Sequence, residues 1–215
     1  CLQSHAATRV LLGLYEEDGV ECSDDLYAAS VVLPWEQWLS PEKTFAITET
    51  VKHVDWLRNS HFAAIRLKDA IVDRIRSQFN DQRPQVDTDN PDVVFHVHLD
   101  GDHVQWYVDF SGRAMYKRGY ASAVLYRSDW FKAMRAEGTV PVLFDPFCGS
   151  GTLPIEAALY ATDTAPGIIN PNRTFAFEKL PFHDAALWEG CKQEAIAKSE
   201  EGKKRPVKIF AWDVD

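Results

Sequence analysis

The chain is 215 residues long, room for one large domain or two small ones, and its 46% apolar and 26% charged residues are ordinary for a globular protein. No apolar run approaches the roughly 20 residues of a membrane-spanning helix, and the opening Cys1-Leu-Gln-Ser-His5 lacks a secretion signal's basic start, so a cytoplasmic protein outside the membrane is expected. A formal charge of −9 speaks mildly against a surface coated in nucleic acid, although binding depends on a local basic patch rather than on the sum.

Through the first 58 positions the signals are short. Thr8 to Leu14 reads as a strand and Asp24 to Ser30 as a helical turn. Leu33-Pro34-Trp35 with Trp38-Leu39-Ser40-Pro41 reads as a loop tucking two tryptophans against a core. Thr44 to Val51 alternates and is rich in β-branched residues, which predicts a strand. The strongest helix runs from Asn59 to Phe79. Asn59 or Ser60 can cap it, and Ala64, Leu67, Ile71, Ile75 and Phe79 share one apolar face. Arg66, Lys68, Arg74 and Arg76 lie elsewhere around it, as a solvated face or as an RNA contact.

Val93–Leu99 and His103–Phe110 form a hairpin around Asp100-Gly101-Asp102. Phe95, Val97 and Leu99 face one side with Val104, Trp106, Val108 and Phe110, while His96, His98, His103 and Gln105 face the other. Three histidines on one face raise a metal site, but no acidic or cysteine partner has ligand spacing, so no metal is expected. The scattered cysteines Cys1, Cys22, Cys148 and Cys191 suggest neither zinc nor disulfides.

Ser111 to Tyr120 is a basic turn. Arg113, Lys117 and Arg118 stand among Tyr116 and Tyr120, a composition that meets phosphates and bases or simply links two modules. A boundary falls near residues 111–122, with an α+β pattern before it and a helix–strand–helix series after it. Ala121 to Glu137 reads as one helix. The strand Val142 to Phe144 then ends on Asp145, followed by the turn Pro146-Phe-Cys-Gly-Ser-Gly151 and a helix over Leu153–Tyr160. Residues 161–179 read as an irregular loop, Asp184 to Lys198 as a helix, Glu200 to Pro206 as a charged loop, and Val207 to Trp212 as a strand ending on Asp213.

Strand, glycine-rich turn and helix bring backbone N–H groups up to a ligand. A phosphate-binding P-loop needs a lysine after its second glycine, whereas Gly151 is followed by Thr152. A dinucleotide turn needs a third glycine where Pro154 stands, and an acid about 20 residues on; the next strand-terminal acid, Asp213, lies much further away. S-adenosylmethionine fits better: Asp145 suits its cationic amino-acid end, Gly149 and Gly151 permit close approach, and Asp213 can accept from both ribose hydroxyls. A turn that holds no ligand stays open on the glycine pattern alone.

The run Asp145-Pro-Phe-Cys-Gly-Ser-Gly-Thr-Leu-Pro-Ile-Glu-Ala-Ala158 closely resembles the cofactor motif of bacterial 23S rRNA guanine-N2 methyltransferases, formerly described as N6-adenine-specific DNA methylases. These carry a THUMP RNA-binding domain ahead of a class I methyltransferase domain. Arg58 to Asp73, Asn90-Pro-Asp92, Asp109 to Gly112 and Lys117 to Tyr120 resemble the THUMP part, and Ala161 to Gly167 with Phe175-Ala-Phe177 resembles a family insertion. The resemblance implies an α+β THUMP module over residues 1–118 and the first part of an α/β Rossmann-like methyltransferase domain over 119–215. It implies cofactor contacts from Asp145, Pro146, Phe147, Cys148, Gly149, Ser150, Gly151, Thr152 and Asp213, and RNA contacts from Arg58, Asn59, Lys68, Arg113, Lys117 and Arg118. Glu156, on the helix, is a weaker candidate for the cofactor site, because a solvent-exposed helix acid is its ordinary reading. The family carries further sequence ahead of the position of Cys1, a segment resembling Ala-Pro-Leu-Lys-Glu between those of Tyr120 and Ala121, and its Asn/Asp-Pro-Pro-Tyr motif beyond that of Asp215. No catalytic residue is therefore expected within the chain. An adenine-N6 methylase, and an RNA-binding module with a cofactor-free Rossmann half, are the alternatives.

Overall fold

The computed structural model describes residues 1–112, 119–136 and 138–214. The chain divides into two compact units, one of residues 10–113 with 174–183, the other of residues 1–9, 114–173 and 184–215. The sequence reading places a single boundary at residue 118. In the structure the chain instead interleaves, because Leu2 is built into the unit that holds the glycine turn and Leu180 into the core of the other.

In the larger unit the described residues form a five-stranded sheet of order β1-β5-β4-β2-β3. Its strands are β1 (Leu11–Glu17), β2 (Thr44–Lys52), β3 (Gln85–Val86), β4 (Val93–Asp100) and β5 (His103–Asp109). β4 pairs with β5 antiparallel and with β2 parallel. The alternation of β4 buries Val93, Phe95, Val97 and Leu99 and leaves Val94, His96 and His98 on the opposite face. Helices α1 (Ser23–Val31) and α2 (His61–Gln78) supply Leu26, Leu67, Ile71 and Ile75 to the same core. Trp35 packs edge-on against Phe95 with ring centroids 5.0 Å apart, and its Nε1 donates to the Ser30 carbonyl at 2.8 Å. The Trp106 Nε1 donates to the Ser30 hydroxyl at 3.1 Å, so one buried serine satisfies two indoles. Ser60 stands at the geometric cap of α2 without a side-chain bond; Asn59 Oδ1 takes the His61 N–H instead, at 3.0 Å.

β1 is shifted toward the C-terminus relative to the expected Thr8–Leu14. It is an edge strand with one neighbour, so pairing with β5 (Leu11 opposite Asp109) and a bulge between Gly13 and Tyr15 set its register rather than its own hydropathy. Residues 174–183 fold onto this unit. Phe177 N–H donates to the Phe110 carbonyl at 3.2 Å, and Leu180 enters the core at 4% exposure.

The second unit is built on a parallel pair, β6 (Val142–Asp145) and β7 (Lys208–Ala211), with Asp145 opposite Ala211. The expected single helix over 121–137 is two, α3 (Gly119–Arg127) and α4 (Asp129–Arg135). Ser128 breaks it: its backbone is extended (ψ 158°) and its hydroxyl donates to the Leu125 carbonyl at 2.7 Å, a bond that competes with helix continuation. Tyr120 and Ala121 lie within α3. α5 (Thr152–Ala161) follows the glycine turn, and Ala157 and Ala161 pack with Leu125, Trp130 and Phe131. α6 (Ala185–Gly202) is capped by Asp184, whose Oδ1 accepts from Ala186 and Leu187 N–H at 2.9 Å. It runs past Lys198 into the stretch expected to be a loop, because Gly202 lies directly against the Thr162 backbone.

Candidate functional site

β6 and β7 deliver two acids side by side because they are adjacent and parallel. The ladder continues past the last paired residues: Trp212 N–H donates to the Asp145 carbonyl and Cys148 N–H to the Trp212 carbonyl, both at 3.1 Å. This stitches the turn to the end of β7. Within the turn, Asp145 Oδ1 accepts from Phe147 N–H at 3.2 Å, and Gly151 N–H closes onto the Cys148 carbonyl at 2.9 Å. Gly149 (φ 52°) and Gly151 (φ 74°) both adopt the left-handed conformation that favours glycine.

The contact that joins the two strand ends is Gly149 N–H to Asp213 Oδ2, at 2.7 Å. Asp213 Oδ1 accepts from Val214 N–H at 2.7 Å. The Gly149 bond first, and then the Val214 bond, hold this carboxyl below the usual aspartate range. An ionised carboxylate has about four lone-pair positions, so Asp213 retains acceptor capacity beyond these two bonds. A Cβ built on Gly149 would meet nothing within 4 Å, which leaves clear space before the turn. Thus Asp145, Phe147, Cys148, Gly149 and Asp213 are brought into one bonded constellation. Ser150 and Thr152 pair through their hydroxyls at 3.1 Å, and Pro146 lies within the turn.

The expectation for Glu156 is corrected. It is fully buried, with Oε1 2.7 Å from His5 Nδ1. Burial follows from its neighbours, since the small side chains of Ala157 and Ala161 let α5 pack closely on the elements around it. Ala157 and Ala161, which follow Glu156 in α5, carried that signal; nothing in the sequence tied it to His5.

The basic residues of the larger unit are less convergent. Arg66 pairs with Asp24 at 2.9 Å, Arg74 with Glu36 at 2.7 Å and Lys68 with Asp69 at 2.9 Å, so much of the positive charge of α2 is neutralised internally. Arg58 and Asn59 are exposed just ahead of α2. Arg113, Lys117 and Arg118 lie outside the described residues. Among the described residues no cluster of His, Cys, Asp or Glu is placed to hold a metal ion. Of the hairpin histidines, His96 pairs with Thr48 at 2.8 Å and His103 with Asp18 at 2.7 Å. No helix among the described residues is long and apolar enough to cross a membrane.

Comparison with known proteins agrees with this arrangement. Residues 23–109 match the THUMP domain, and residues 105–215 match the RMKL-like methyltransferase domain. The Ribosomal RNA large subunit methyltransferase K/L of Desulfotalea psychrophila is 39% identical over 229 aligned residues, and that of Syntrophotalea carbinolica 36% over 228. Both alignments take in 100% of this chain but 31% of the relative, so the chain spans about a third of their length. Among solved structures, a Listeria monocytogenes protein described as a predicted N6-adenine-specific DNA methylase superposes with a TM-score of 0.81 at 25% identity, covering 100% of this chain and 56% of that one. A second, designated a methyltransferase and solved with SAH, gives 0.80 at 26% identity, covering 99% and 56%. The domain match, reaching across more than half of the sequence and over the whole glycine turn, places this chain in the RMKL-like methyltransferase family.

Proposed function

We propose that the chain is part of an S-adenosylmethionine-dependent methyltransferase that acts in the cytoplasm on ribosomal RNA, at the exocyclic N2 of a guanine in the large-subunit RNA. The observation that carries this reading is the Gly149–Asp213 bond at 2.7 Å, which sets an ionised acceptor at the rim of an open glycine turn. Asp145 would hold the amino-acid end of the cofactor, the backbone from Pro146 to Thr152 would line it, and Asp213 would accept from the ribose hydroxyls. The bound cofactor supplies an electrophilic methyl group. The chain's part is to fix its direction, since alignment of the two reactants accounts for much of the rate in such transfers. The K/L name of the relatives supports ribosomal RNA as acceptor. Calorimetry with S-adenosylmethionine on the intact protein tests the assignment. Asp213→Ala is expected to weaken binding roughly tenfold or more, the loss of hydrogen bonds to a charged group. No binding by the unsubstituted protein overturns it.

RNA contact is assigned to the larger unit and the basic turn that follows it, through Arg58, Asn59, Lys68, Arg113, Lys117 and Arg118. Replacing Lys117 and Arg118 by glutamate should weaken RNA binding and flatten its salt dependence, because each lost phosphate contact removes close to one unit of slope. An unchanged slope would reduce the turn to a linker. The designation of the Listeria structure favours an adenine-N6 activity as the second reading. Mass spectrometry of RNA from a deletion strain separates the two by whether N2-methylguanine or N6-methyladenine disappears.

A further inference from the structure

The first nine residues belong to the unit that carries the glycine turn, and they are fastened into it at successive points. Leu2 accepts from the Gly167 N–H at 2.9 Å, and a Cβ on Gly167 would fall 2.8 Å from that same Leu2 carbonyl oxygen. Ala6 presses its carbonyl on Gly119, where a Cβ would stand 3.1 Å away. Between these points His5 reaches α5. Its ring stacks on Tyr160 with centroids 4.1 Å apart and planes 16° apart, and its Nδ1 lies 2.7 Å from Glu156 Oε1.

Glu156 and Tyr160 are one helical turn apart and share a face of α5. Tyr160 bonds through its hydroxyl to Ser122 of α3 at 2.7 Å and meets Phe131 of α4 edge-on at 5.3 Å. The rotation of α5 about its axis is therefore set by this face. At its start, Ile155 N–H closes onto the Gly151 carbonyl at 3.0 Å, so any rotation is passed to Gly149 and Gly151. The His5 bond thus ties a fully buried side chain of α5 to residues 1–9 and opposes rotation of the helix.

We propose that His5 and Glu156 are positioning residues for the cofactor: the Nδ1–Oε1 bond fixes the rotation of α5 and through it the backbone N–H groups of the glycine turn. This rests on the methyltransferase reading above. The Nδ1 donor and the aromatic ring of His5 do different work and separate by substitution. His5→Phe keeps a ring on Tyr160 and removes the donor. His5→Asn keeps an amide N–H where Nδ1 stands and removes the ring.

The test is calorimetric titration of the intact protein with S-adenosylhomocysteine, with thermal unfolding of each variant alongside. His5→Phe should bind roughly tenfold more weakly with a modest change in melting temperature, and His5→Asn should bind like the parent while melting earlier. Glu156→Gln, which keeps an acceptor, should follow the parent. The reverse split, or binding that follows melting temperature in all three variants, makes the pair a packing contact and overturns the proposal. Should His5→Phe not fold, weakened binding by a folded His5→Asn overturns it and parent-like binding supports it. No binding by the parent protein overturns the methyltransferase reading and this proposal together, whereas binding unchanged in His5→Phe overturns this proposal alone.

Discussion

Asp92 concentrates several duties in one side chain. Its Oδ2 accepts from the Thr44 N–H at 3.1 Å and from the Thr44 hydroxyl at 3.2 Å, tying the starts of β2 and β4, and its Oδ1 lies 3.1 Å from Lys179 Nζ. The Thr44 backbone bond, followed by Lys179, holds the Asp92 carboxyl below its ordinary value. The group is thus more acidic folded than unfolded. Its stabilisation is complete above the ordinary aspartate range and is lost as the pH falls through the depressed folded value. Asp92→Asn should lower stability at neutral pH and flatten the acid limb of the stability–pH curve, measured by urea unfolding between about pH 7 and pH 3. An acid limb of unchanged steepness would assign that sensitivity to other carboxyls. The Asn-Pro-Asp run was visible in the sequence, but Thr44 and Lys179 as partners were not, since both contacts span long stretches of chain.

At the scale of elements, legibility followed how far each segment's own pattern decided its place. The hairpin of β4 and β5, α2 and the β6–turn–α5 sequence were readable because alternation, a 3.6-residue face and turn glycines act locally. β1 was displaced because its register comes from a neighbour, and α6 outran its expected end because Gly202 answers to Thr162. Two glycines of α6 offer a contrast that tests this account. A Cβ on Gly190 would meet nothing within 4 Å, whereas one on Gly202 would fall 1.9 Å from the Thr162 carbonyl oxygen. Gly190→Ala should stabilise the protein by about 0.5–1 kcal/mol through helix propensity. Gly202→Ala should destabilise it, because backbone must move to admit the methyl group. Thermal melts of the two single variants decide the matter, and equal shifts would refute the packing at Gly202. The candidate site was legible through Asp145, the turn and Asp213. The Trp212 backbone bonds to Asp145 and Cys148 were not, because they depend on register rather than side-chain type.

For the whole molecule, the division into units cuts across chain order. Leu180 comes late in the sequence yet is 4% exposed within the core built mainly from residues 10–113. Leu180→Ala should cost about 2–4 kcal/mol, the range for emptying a buried leucine site. The loss should appear in the unfolding transition reported by the buried Trp35 and Trp106 of that unit, observed through tryptophan fluorescence. A shift confined to other probes would contradict the assignment of Leu180. The interleaving also sets a timetable for synthesis. Domains usually close in the order in which they leave the ribosome, at about 5–20 residues per second. Here residues 1–9 emerge well ahead of α5 and wait for it, while the five-stranded unit stays open at Leu180 until the segment ending at His183 has been made. Neither unit can finish before the other has largely been translated, so apolar surface such as Phe110, which packs against Phe177 and Phe182, remains uncovered on the nascent chain longer than its position in the sequence suggests.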